Sequence, residues 1–265
     1  MSRAPRRAIR LITALAFALV LAMPASVSAS HSWGGYHWAR TANPFTVKLG
    51  DNVTSAWDGS LATASGAWSV SSVLDTSIVP GSVSRPKQCR ATAGTVQVCN
   101  ATYGSNGWLG VASINITGGT HITQGTVKVN DTYFKTATYN KPEWRTMVMC
   151  QEIGHTLGLD HQDTTFGNQN LGTCMDYTND PSTNQYPNQH DYAQLETIYA
   201  HLDATTTLAS VPATAAADAA AAESDAADAA WGTLVEVTDG GRGAWYVRDL
   251  GAGNLILTHV LWADR

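Results

Sequence analysis

Residues 150–162, CQEIGHTLGLDHQ, and residues 171–177, LGTCMDY, decide how this chain folds and what it is built to do. Positions 151 and 155 are four apart, so on a helix both side chains lie on one face and reach one ion. Glu152 falls on a neighbouring edge, close enough to hold a water without ligating the metal itself. Gly158 accepts a positive φ and ends the helix, and the chain then turns back to deliver His161 from outside it. Gln151, His155 and His161 plus one open position describe a catalytic zinc site for one ion, with Glu152 as general base and acid. A glutamine amide oxygen is neutral, weaker than imidazole and absent from the usual ligand sets. Three outcomes therefore stay open: Gln151 binds through its oxygen, another residue such as His121 or His190 takes its place, or zinc binds poorly and the domain only recognises ligands.

Working outward, the helix carrying this stretch has a visible start. Asn140 is a cap residue, Pro142 suits the first turn, and Glu143 follows the cap by three residues. Trp144, Met147, Val148 and Cys150 give it a broad apolar surface. Upstream, residues 44–49 alternate as a strand, and Trp57, Leu61, Ala64 and Trp68 recur at helical spacing behind a Ser55/Asp58 capping box. Residues 70–79, 95–98, 107–116 and 121–129 read as further strands. Residues 188–201 form an amphipathic helix whose stripe is Leu195, Ile198, Tyr199 and the following Leu202.

Glu152, His155, Gly158 and His161 fall at the spacing of H-E-x-x-H-x-x-G-x-x-H, and the stretch resembles the zinc motif of metzincin peptidases, with Gln151 where the first histidine stands. The resemblance extends to Met175, in a context similar to the metzincin Met-turn beneath the zinc. Tyr177 matches the M-x-Y of the astacin and serralysin branches, which implies a role in zinc ligation or oxyanion stabilisation. Asp191 matches the position that braces the Met-turn. The resemblance covers residues 44–202, with its specific motifs confined to 150–199. It implies an α+β fold, a twisted mixed sheet with an active-site helix and a C-terminal helix. It also implies a cleft-edge strand, Leu109, Gly110, Val111 and Ala112, that pairs with extended substrate through its backbone. The activity implied is zinc-dependent hydrolysis of peptide bonds in proteins or peptides. The contrasting reading is a non-catalytic exported domain, its zinc site impaired by Gln151, that binds peptide or polymer. Paired carboxylates for sugar chemistry are not found, and the sequence carries no reading on calcium.

The rest of the chain sets the context. Residues 1–29 read as an export signal, with Arg3, Arg6, Arg7 and Arg10 before an apolar run too short for a membrane anchor. Its removal leaves 12 basic residues against 21 acidic ones, a net charge near −9. That balance argues against nucleic acid and anionic membrane as partners. The four cysteines all lie in the exported part, and an even count there favours disulfides. Three pairings are possible; Cys89–Cys99 as a hairpin clip and Cys150–Cys174, tying the helix to the turn before Met175, are favoured. The peptidase-like domain spans 30–203. Residues 204–230 are an Ala-rich linker, and 231–265 form a small all-β module of three short strands with no partner legible in the sequence.

Overall fold

The computed structural model describes residues 30–209 and 231–264; the expected export signal, 1–29, and most of the expected linker, 210–230, lie outside the described residues. The strands are β1 (His37–Trp38), β2 (Phe45–Asn52), β3 (Leu74–Pro80), β4 (Thr95–Ala101), β5 (Trp108–Thr117), β6 (His121–Asn130), β7 (Thr233–Thr238), β8 (Gly243–Gly251) and β9 (Asn254–Trp262). The helices are α1 (Asp58–Trp68), a single turn α2 (Asp131–Phe134), α3 (Pro142–Thr156) and α4 (Gln189–Ile198). The architecture is α+β with one mixed sheet. Its order is β3-β2-β4-β6-β5-β9-β8-β7, and β1 pairs with β6. β2, β3, β4 and β6 run parallel to one another, whereas β5 is antiparallel to both β6 and β9. Among the described residues, no helix is long and apolar enough to cross a membrane.

α3 lies against β5 and β6, with α1 packed beside it. The two indoles of the α1 stripe are core, as their spacing suggested, and each finds a partner for its N–H. Trp57 donates to Asp131 Oδ1 at 2.8 Å, and Trp68 donates to the Cys150 carbonyl at 3.0 Å. A buried indole needs such an acceptor, so Trp68 fixes the helix segment that carries the motif. Both favoured disulfides are present: Cys89–Cys99, and Cys150–Cys174 across 24 residues.

Several local expectations are corrected. The Ser55/Asp58 capping box is not formed; the N-cap of α1 is Trp57, without a side-chain cap. Burial of the Trp57 ring sets the entry angle there, and a turn from Trp57 N–H to the Thr54 carbonyl leads in. The third strand begins at Leu74 because Val70 is exposed in the preceding bend. The N-cap of α3 is Lys141, with Pro142 opening the helix; Asn140 instead accepts from Arg145. Leu202 is exposed beyond the end of α4 and leaves the buried stripe to Leu195, Ile198 and Tyr199. At α4 the Asn188/Asp191 capping box is complete.

The strands β7, β8 and β9 form an antiparallel meander that continues the main sheet. β9 pairs with β5, setting Gly110 opposite Leu261, Val111 opposite Val260 and Ala112 opposite His259. The free edge expected at Leu109–Ala112 is therefore filled: β5 is an interior strand, bonded on both sides. The alternating apolar residues of β9 supply the reason. Leu257 and Leu261 join the main core, while Val260 packs with Trp108, Val111 and Trp231 on the opposite face. A strand with two apolar faces is stable only inside a sheet that is covered on both sides. Residues 204–209 also pack back on the domain, with Ala39 N–H donating to the Thr207 hydroxyl at 3.0 Å.

Candidate metal centre

Gln151, Glu152 and His155 sit in the last two turns of α3, all fully buried beneath β5. Two glycines make that close approach possible. A Cβ on Gly110 would lie 2.6 Å from Glu152 Oε1 and 2.8 Å from a Val148 methyl. A Cβ on Gly154 would lie 2.6 Å from Met175 Sδ, so the helix rests directly on the Met175 turn. Gly158 has φ +97° and ends the helix, after which His161 returns to the site. The ring centroids of His155 and His161 are 4.6 Å apart.

The supporting contacts orient the donors inward. The Leu159 carbonyl lies 2.8 Å from His155 Nδ1, and a carbonyl only accepts, so the proton resides there and the Nε2 lone pair points into the site. Beneath, Asp191 receives the Thr173 hydroxyl, and Met175 N–H donates to that hydroxyl at 3.0 Å. Asp191 also bonds His31 Nε2 at 3.0 Å and Gln162 Nε2 at 2.7 Å. The Tyr177 ring lies 4.0 Å from that of His161, centroid to centroid.

A third imidazole arrives that the motif spacing does not contain. His259 of β9 is fully buried, and a nitrogen from each of His155, His161 and His259 lies within 4.8 Å of the others. His259 Nε2 is 2.8 Å from the Tyr177 hydroxyl, and Nδ1 is 3.3 Å from Glu152 Oε2. The Trp245 indole of β8 covers the group, 5.0 Å from the His155 ring and 4.4 Å from the His259 ring. His121 and His190, the substitutes considered from the sequence, lie elsewhere: His121 beside His37, and His190 stacked on His31. The amide of Gln151 donates to the Cys174 carbonyl at 3.0 Å.

Electrostatics follow from burial. Glu152 is pushed well above the usual carboxylate range by desolvation, which the nearby His161 offsets only in part. Desolvation lowers His155 well below the usual imidazole range and lowers His161, while His259 falls to about 3 for the same reason. Burial likewise raises Tyr177. The imidazoles are therefore neutral at pH 7, the protonation state that metal ligation needs.

Gln151 Oε1, Glu152 Oε1, His155 Nε2 and His161 Nε2 are buried and have no hydrogen-bond partner among the described residues. Buried polar atoms are nearly always paired, so a run of orphans along one motif is the signature of a group that binds something. Two or three imidazole nitrogens, an amide oxygen and an adjacent carboxyl fit a divalent ion of the zinc type.

No family model matches the chain, and no curated protein does. Among solved structures, it has a likeness to High choriolytic enzyme 1, a hatching enzyme zinc-protease from the medaka fish Oryzias latipes. The TM-score is 0.32 and the identity 10%, over 62% of this chain and 94% of that one.

Proposed function

We propose that this chain is an exported zinc-dependent peptidase, and that the form described is one in which its own C-terminal strands close the cleft. The observation that carries the reading is the set of unpartnered buried donors on Gln151, Glu152, His155 and His161. His155 and His161 would hold the ion, with His259 as the third protein ligand in the closed form on giving up its contact with Tyr177 or Glu152. The amide oxygen of Gln151 is the donor that remains when β9 leaves. Zinc bound there would polarise a peptide carbonyl and acidify a water. Glu152, whose raised affinity for protons suits a general base and acid, would take the proton from that water and pass it to the leaving amine. The Tyr177 hydroxyl would donate to the carbonyl oxygen as charge develops on it. Leu109–Ala112 would align an extended substrate by backbone pairing, in the strand position that β9 now fills.

A second reading has its own support. Glu152 and His259 have no exposed surface, and three imidazoles under an indole describe a closed site. In that case the chain is a non-catalytic exported domain with a structural ion. Zinc analysis of the full chain, with casein cleavage measured before and after nicking within 210–230 and repeated on Glu152→Ala, separates the two. Bound zinc with Glu152-dependent cleavage after nicking supports the peptidase. Zinc retained without cleavage in either state supports the structural ion, and a chain that takes up no zinc defeats both.

A further inference from the structure

A second group of histidines gathers around one carboxylate, sharing no residue with the first. His37 lies in β1 and His121 opens β6, and the parallel pairing of those strands sets the two residues side by side. His201 and Asp203 follow α4. Asp203 Oδ1 is 3.6 Å from His37 Nε2, 3.3 Å from His121 Nε2 and 3.6 Å from His201 Nε2. The Nε2 atoms of His37 and His201 are 3.1 Å apart.

These separations are those of ligands around an ion. Zinc–nitrogen and zinc–oxygen bonds of about 2.0–2.1 Å in a tetrahedron put neighbouring donor atoms about 3.3 Å apart. The three mutual distances among His37, His201 and Asp203 bracket that value, and His121 lies on the same carboxylate oxygen at that spacing.

The surrounding contacts fix which atoms face inward. The Gly35 carbonyl is 2.9 Å from His37 Nδ1, so the proton sits on Nδ1 and the Nε2 lone pair faces the carboxylate. A lone pair turned toward a carboxylate oxygen is repulsive, and either a proton on His201 Nε2 or a bound cation relieves it. The other oxygen, Asp203 Oδ2, is fully engaged by Arg40, from its backbone N–H at 3.1 Å and its guanidinium at 2.9 Å. Arg40 is itself buried, so Oδ1 is held toward the imidazoles by a rigid outer contact. The His201 side chain is 53% exposed, which leaves a route for an ion.

We propose that His37, His201 and Asp203 form a second zinc site, with His121 as its outlying fourth ligand, structural in role, that fastens β1 and the end of α4 to the start of β6. Three imidazoles and one carboxylate are a donor set suited to zinc. The His121 ring, 3.3 Å from Asp203 Oδ1, would fill the fourth position on closing toward the ion and leave none for a reacting water, so the ion would stabilise and not catalyse.

The test is zinc titration of the chelator-stripped full chain beside His201→Ala, a change at a largely exposed side chain. The variant should bind one ion fewer per chain and lose part of the zinc-dependent rise in Tm. Cobalt(II) loaded in place of zinc should give a visible tetrahedral absorption band that His201→Ala diminishes. His121→Gln should lower the affinity of this ion about 10–100-fold or more, as changes in a ligand shell do. If His201→Ala takes up as many ions as the parent chain, with equal affinity, the proposal is wrong. Casein cleavage and Glu152→Ala report only on the first site, so failure of the peptidase reading leaves this result intact.

Discussion

His259 Nδ1 stands 3.3 Å from Glu152 Oε2, joining the last strand of the chain to the carboxyl of the α3 motif. On its other side the same ring meets Tyr177 at 2.8 Å. One side chain thus touches both residues to which the proposed function gives proton transfer and oxyanion contact. On the proposed function, that contact would couple metal binding, cleft closure and the titration of the site.

His259→Ala in the full chain should weaken zinc binding by more than about 100-fold, the upper end of what outer-shell partners cost. Competition with a chromophoric chelator measures it. An affinity unchanged by the substitution would remove His259 from the ligand set.

Glu152→Gln should stabilise the metal-free protein at pH 7 by about 1–3 kcal/mol, because burial penalises the charged carboxylate and an amide carries no charge. The same variant should have no peptidase activity. Thermal melts in chelator test the first statement, and a variant less stable than the parent chain would contradict it.

Acid should destabilise the metal-free form. The folded-state values of His155, His161 and His259 lie below their ordinary 6.5, so the unfolded chain binds more protons once the pH falls under that point. Their stabilising share is complete above pH 6.5 and is lost on acidification, with the His259 part continuing toward about pH 3. Glu152 acts in the opposite sense. Its raised value makes its share greatest below the ordinary 4.5 and progressively lost as the pH rises. Denaturant midpoints from pH 8 to pH 5 should fall for the parent chain, and fall more steeply for Glu152→Gln, in which the opposing group is gone.

Gly110→Ala should cost about 1–3 kcal/mol, since the added methyl meets Glu152 Oε1 and Val148 at less than van der Waals separation. Equilibrium unfolding measures the loss; a neutral effect would mean that α3 and β5 are less tightly apposed than described.

Loss of Cys150–Cys174, made as the double serine variant, should cost about 2–4 kcal/mol through release of the intervening loop in the unfolded chain. Because the bridge precedes both Gln151 and Met175, zinc affinity should fall with it, by the same chelator competition.

What could be read from the sequence was local. The zinc spacing, both cysteine pairings and the helix over 188–201 each span few residues or rest on residue chemistry alone. The contribution of His259 depends on a pairing between β5 and β9 that no short spacing encodes. A signal did exist: in residues 255–262, LILTHVLW, His259 shares the face of Leu257 and Leu261, so an inward imidazole follows from the period of two. The His37 group was hidden for the same reason, since His37, His121 and His201 meet only once β1 lies beside β6 and α4 ends nearby. The misplaced caps at Ser55 and Asn140 reflect tertiary demands, one from a buried indole and one from Arg145.

The pairing of β9 with β5 carries a final consequence. Lifting the last strands would bare a row of amide and carbonyl groups along the middle of the sheet, flanked by Trp108 and Val111. Such a border recruits any extended chain, including a second molecule of the same kind. An opened form would therefore self-associate unless a peptide took up the border first, and its solubility would depend on how much peptide is at hand.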